Sequence, residues 1–349
     1  MHKIPRRIIF CLILATTLLG FVKTGQAITL TGDFNGDGIA GDVATITTTG
    51  AVSIIHAGGK PTSNYSIPAG TLQVLAGEFN GVAGNEIAVI YPVPRTLLII
   101  DDKVGVKRDY GSFTGNVGSG SVSWVASDLN GLAGSEIAFV FSNQVVQIID
   151  HRTQTRRGYG LGTIGTGAFS YVVSQLDNIA GNEIAFIFGN KVVEVIADKT
   201  GRRLEYGLGT VGTGSYSWVF SDLDGVTGNE MAFIFGNKIV HTISVRTGAT
   251  GDFSIGANLL GAGGYSWKTS EFNGVVGNEI AFTFGGGFVQ FLNYRAGSMS
   301  SAFFLQSGLA PPASTVANYD GVAGNDLLFV YSNGISWLVS YARGFSGQF

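Results

Sequence analysis

An eleven-residue segment returns seven times along this chain, and no other feature limits the fold as tightly. The copies begin at Asp33, Glu78, Asp128, Gln175, Asp222, Glu271 and Asn318. Their starts lie 45, 50, 47, 47, 49 and 47 residues apart. Glu78-Phe79-Asn80-Gly81-Val82-Ala83-Gly84-Asn85-Glu86-Ile87-Ala88 is representative. A period of this length means one supersecondary unit per repeat, each burying its apolar face against the next. The expected units run about 28–73, 74–123, 124–170, 171–217, 218–266, 267–313 and 314–349, a single domain with nothing left over.

The third unit shows what one repeat contains. Ser123–Ser127 reads as a short strand and leads into the Asp128 loop. Glu136–Phe141 is apolar on both faces, as a strand buried on both sides would be. Ser142-Asn143 makes a tight turn, Val145–Ile149 a third strand, and a fourth lies near Arg156–Tyr159. Four short strands joined by turns form a propeller blade. The fold class is therefore all-β, a seven-bladed β-propeller with four antiparallel strands per blade. The strands fall short of the roughly 9–11 residues needed to cross an outer membrane.

Residues 1–27 read differently. Lys3, Arg6 and Arg7 precede Ile8–Val22, which carries no charge, and Gly25 and Ala27 place small residues at the third and first positions before a cleavage after Ala27. That is the pattern of a secretory signal peptide, and it implies a secreted, periplasmic or cell-surface protein with no membrane span after cleavage. The only Cys, Cys11, lies inside this segment, so the mature chain has neither disulfides nor thiol chemistry. The net charge of −3 leaves no footprint for nucleic acid.

The first loop, Asp33-Phe34-Asn35-Gly36-Asp37-Gly38, resembles the FG-GAP and VCBS-type repeats known from the integrin α-subunit propeller. The resemblance implies an extracellular propeller that binds partners, with calcium held by alternate loop positions. Here those ligands are Asp33, Asn35, Asp37, the Ile39 carbonyl and Asp42, although one extra residue displaces Asp42 from the family spacing. The other six loops replace the fifth-position oxygen with Val82, Leu132, Ile179, Val226, Val275 or Val322. Calcium prefers six to eight oxygen ligands. These six are expected to close without metal, by packing and Asx-type hydrogen bonds, helped by the Asn before the final acid.

Four consecutive units carry an aromatic four residues before the loop acid: Trp124, Tyr171, Trp218 and Trp267. A Ser precedes each, and a Gly-x-Gly link precedes that. On an innermost first strand these rings would gather at the mouth of a central channel, rimmed by the Asn190-Lys191 and Asn237-Lys238 turns. Rigid aromatics with a polar edge suit sugars or peptides. Rings repeated once per blade equally suit packing between blades. His56, His151 and His241 fall at different places in their repeats, and no nucleophile elbow occurs, so enzyme chemistry has little support. The expectation is a non-catalytic, lectin-like binding module for a glycan or extracellular protein. A scaffold or adhesion component is the alternative, and a propeller hydrolase the weakest.

Overall fold

The computed structural model describes residues 27–70, 72–91, 96–112, 121–162, 165–209, 212–256, 264–305 and 310–349. Residues 1–26 of the expected signal peptide and the Gly-x-Gly links at 118–120 and 261–263 lie outside the described residues, while Ala27 opens the first strand. The chain contains seven antiparallel sheets in sequence order, at 27–66, 73–112, 122–160, 169–207, 216–254, 265–304 and 314–348. Each is a four-stranded meander with strands in chain order. In the sixth sheet the last strand is broken into Ser298–Met299 and Phe303–Phe304, both paired to Phe288–Asn293. The sheets at 73, 122, 169, 216 and 265 begin one or two residues before the unit boundaries expected from the repeat, because each aromatic sits inside its strand rather than at its start.

Two compact units, 1–162 and 163–349, carry three and four sheets respectively. Within each sheet the burial follows strand order. The second strand is buried throughout in sheets two to five, as in Glu136–Phe141, Glu183–Phe188 and Glu230–Phe235, and partly exposed in sheets one, six and seven. The fourth is largely exposed, as in Thr155–Gly160. Aromatic and β-branched residues fill the buried strands and suit a pleated surface covered on both sides.

The core lies between consecutive sheets. In the second unit, Met231, Phe233 and Phe235 of the fifth sheet pack on Ala185, Ile187, Val193 and Val195 of the fourth. Phe282 and Phe284 of the sixth pack on Ala232, Ile234 and Val240 of the fifth. The links into the fourth and fifth sheets need a small residue beside the Phe that ends the second strand. A Cβ on Gly212 would stand 2.3 Å from the Phe235 ring, so the chain passes where no larger side chain fits.

Candidate functional site

Each repeat loop joins the first and second strands of its sheet, and its polar side chains turn inward onto backbone. The ninth-position carboxylate is buried and accepts the N–H of the second residue: Glu86 from Phe79 at 2.6 Å, Glu183 from Leu176 at 2.5 Å, Glu230 from Leu223 at 2.9 Å and Glu279 from Phe272 at 2.8 Å. The third-position side chain accepts from the fifth N–H, as Asn80 does from Val82 at 2.7 Å and Asp224 from Val226 at 2.8 Å. These are the expected Asx turns. The expected apolar packing is absent from five of the six loops. Val82, Leu132, Ile179, Val226 and Val275 are 39–49% exposed, so hydrogen bonds close these five loops, whereas Val322 is half-buried.

The Asn before the final acid has a different task from the one expected. Its N–H reaches the first-position carbonyl of the preceding loop, Asn278 to Asp222 at 2.7 Å and Asn325 to Glu271 at 2.7 Å. Its side chain reaches the preceding sheet as well, from Asn278 to Ser221 at 2.8 Å and from Asn325 to Ser270 at 2.7 Å. The loops therefore staple neighbouring sheets instead of closing only upon themselves.

The first loop follows the same plan. Asp42 accepts from Phe34 at 2.9 Å, Asn35 at 3.3 Å and Ala57 at 2.7 Å. Burial opposes its ionisation, but the Ala57 N–H, His56 and the other backbone donors hold the carboxyl below its usual range. Asp33 accepts from the Asp37 and Gly38 N–H groups, and Asp37 from the Ile39 N–H at 2.9 Å. The Lys60 ammonium stands 2.8 Å from Asp37 and 3.2 Å from the Asn35 oxygen. Its hydrogen bond pulls the Asp37 carboxyl below the usual value. Asp33, Asn35, Asp37, the Ile39 carbonyl and Asp42 do not fit calcium in this arrangement. Asp42 is spent on backbone, and a cation of the chain already sits on Asp37 and Asn35. Among the described residues the carboxylates that converge within 4.8 Å are instead Asp222, Asp224 and Glu230, where Arg246 binds Asp224 at 2.6 Å.

A grouping not foreseen from sequence surrounds His56. Ser63 Oγ lies 3.1 Å from His56 Nε2, and Asp42 Oδ2 lies 3.2 Å from Nδ1, which is the order of a hydrolase triad. However, Asp102 Oδ2 of the second sheet also lies 3.3 Å from Nε2. Ser63 therefore shares Nε2 with a carboxylate of the neighbouring sheet, which departs from the order of a triad. Tyr65 completes the cluster with a 2.6 Å bond to Asp102, so the five side chains tie sheet one to sheet two. His151 pairs with Tyr110, and burial lowers its pKa; His241 pairs with Asp252 at 2.7 Å.

Trp124, Tyr171, Trp218 and Trp267 occupy the same register position on the first strands of sheets three to six, opposite Phe139, Phe186, Phe233 and Phe282. All four are half-buried. Three of the rings enter seams between sheets, Trp124 against the second sheet's cluster, Trp218 against the fourth's and Trp267 against the fifth's, while Tyr171 lies 5.9 Å from Phe186 of its own sheet. Trp124 donates its indole N–H to Gln73 at 2.7 Å, and Trp267 donates to Ser217 at 3.1 Å. The Trp218 indole N–H has no partner among the described residues. Ser123, Ser170, Ser217 and Ser266, one residue earlier, are exposed.

Lys191 and Lys238 stand at the same end of their sheets, in the turns between second and third strands, with φ of 63° and 64°. Neither ammonium projects freely. Lys191 donates to the Gly212 carbonyl at 2.5 Å and lies 5.3 Å from the Phe235 ring centre. Lys238 lies 5.9 Å from the Phe284 ring centre. Both clamp the next sheet, and the signal for this was the Phe that closes each second strand.

No family model matches the chain, and no curated protein matches it. The FG-GAP resemblance therefore rests on the loop residues. Solved structures resemble it at low identity. One titled a complex of BBS1N with ARL6DN is 14% identical, with 90% of this chain and 91% of that one covered and a TM-score of 0.33. An Agrocybe aegerita lectin described as recognising non-reducing terminal N-acetylglucosamine is 12% identical, covering 93% and 89%, at 0.43. Sqt1 of Saccharomyces cerevisiae is 13% identical, covering 88% and 81%, at 0.42. Among the described residues no helix is long and apolar enough to cross a membrane.

Proposed function

We propose that the protein is a non-catalytic binding module, delivered across a membrane by its N-terminal segment, that takes a glycan along the first strands of sheets four to seven. One observation carries this reading. In the second unit these strands alternate exposed hydroxyls with half-exposed aromatics, as Ser170-Tyr171, Ser217-Trp218 and Ser266-Trp267, and the Trp218 indole N–H is left for a ligand. Sugars ask for this combination, because their C–H faces stack on rings while their hydroxyls need donors and acceptors. The loop carboxylates offer less, since they are occupied by backbone N–H groups.

A glycan array probed with the purified protein and with Trp218→Phe tests the reading. The variant keeps an aromatic in the seam and removes the N–H. Retention of the bound glycans is expected to weaken about tenfold, with melting moved by no more than about 2 °C. Unchanged retention, or an array with no bound glycan, defeats the proposal.

The repeat loops are held without metal in this reading, with Lys60 supplying the cation of the first. Adding EDTA to purified protein is expected to leave the melting temperature within about 2 °C, since only a ligand that binds the folded state raises stability. A fall of many degrees, restored by calcium, would overturn it.

A further inference from the structure

We infer that the first strands of sheets six and seven form an anion subsite within this glycan surface, and that Lys268 selects sugars carrying a carboxylate. The inference rests on the glycan reading above. It begins from a break in the repeat. The valine after the aromatic and the next sheet's aromatic border the same buried cluster in two seams: Val172 and Trp218 between sheets four and five, and Val219 and Trp267 between sheets five and six. At the following seam both partners change. Lys268 takes the place of the valine, and Ser314 takes the place of the aromatic. Two apolar side chains bordering the seam are thus replaced by an ammonium and a hydroxyl.

The change is not a buried pair or a surface ion bridge. Lys268 is exposed and has no carboxylate partner among the described residues. Ser266 is exposed on the same strand, and Thr315 is exposed on the next. The first strands Phe169–Ser174, Tyr216–Ser221, Tyr265–Ser270 and Ser314–Ala317 hold no acid, and neither do the turns between second and third strands in these sheets. Those turns add Lys191 and Lys238 to the same end. Both of those ammoniums are held against the next sheet, which leaves Lys268 as the exposed cation of these first strands although the protein as a whole carries −3. A compact ammonium beside hydroxyls suits a single carboxylate held by a charge-assisted hydrogen bond, while Trp267, on the opposite face of the same strand, and Trp218 beyond it contact sugar rings further along the glycan.

Polygalacturonate and its fully methyl-esterified form separate the charge from the sugar ring, with dextran sulfate and dextran as a second pair. Polygalacturonate is expected to bind at least about tenfold more tightly than the ester. Lys268→Met should remove that difference, and Lys268→Arg should keep it. Equal binding of acid and ester, both lost in Trp218→Ala, overturns the anion subsite and leaves the glycan reading intact. If neither polymer binds and no array glycan is retained, both fall. Lys268-dependent binding of dextran sulfate without binding of polygalacturonate overturns the carboxylate assignment.

Discussion

Gly324→Ala is expected to cost on the order of 3–5 kcal/mol, the range of the most damaging single substitutions. Gly324 is the seventh residue of the last loop and has φ of 108°, where an L side chain is strained. An added Cβ would stand 2.7 Å from the Phe272 carbonyl oxygen and 2.8 Å from the Gly274 nitrogen of the preceding loop. Both obstacles are backbone, so no side chain can swing away. The contact is also the place where Asn325 N–H meets the Glu271 carbonyl, so separating the loops would break the staple. Gly334→Ala is the control. Gly334 has φ of 82° but open space around it, and should cost only about 1 kcal/mol. Denaturant titration of the two variants measures the difference. Equal losses would mean that the loops do not bear on one another.

The second large effect is on pH dependence. Burial pushes the Glu86, Glu183, Glu230 and Glu279 carboxyls up to about 7, against backbone N–H donors that favour ionisation. The unfolded chain holds the same groups near 4.5. The folded state therefore binds these protons more tightly. The stability they contribute is complete below about 4.5, is lost as pH rises towards 7, and changes little beyond. Every tenfold gain in proton affinity on folding is worth about 1.4 kcal/mol. Melting is expected about 5 °C or more higher at pH 5 than at pH 8. Glu230→Gln stays neutral at both values and still accepts the Leu223 N–H, so it should lose less between them than the parent protein. A parent protein that melts higher at pH 8 contradicts the account.

Much of the fold is legible in the sequence. The strands read in the third unit agree with Val122–Ser127, Glu136–Phe141, Val145–Asp150 and Thr155–Gly160 to within a residue or two. The apolar runs are local, and turn residues punctuate them. The loop chemistry is only half legible. That Asn80 would cap the Val82 N–H follows from a spacing of two residues. That Asn278 would reach Ser221, 57 residues away, follows from no local pattern. Lys268 could have been noticed by laying Tyr-Ser-Trp-Lys beside the Tyr-Ser-Trp-Val of the preceding repeat. The meeting of His56 with Asp102 has no counterpart in the repeat at all.

The division has a physical basis. The period, the four strands of each unit and the glycine positions follow from backbone preferences and from which residues seek burial, and these act over a few neighbours in the chain. Whether a polar side chain is spent or available depends on which groups the packed sheets bring within hydrogen-bonding reach. Lys191 and Lys268 look equally free in sequence. Packing gives the first a carbonyl and a phenyl ring and leaves the second exposed.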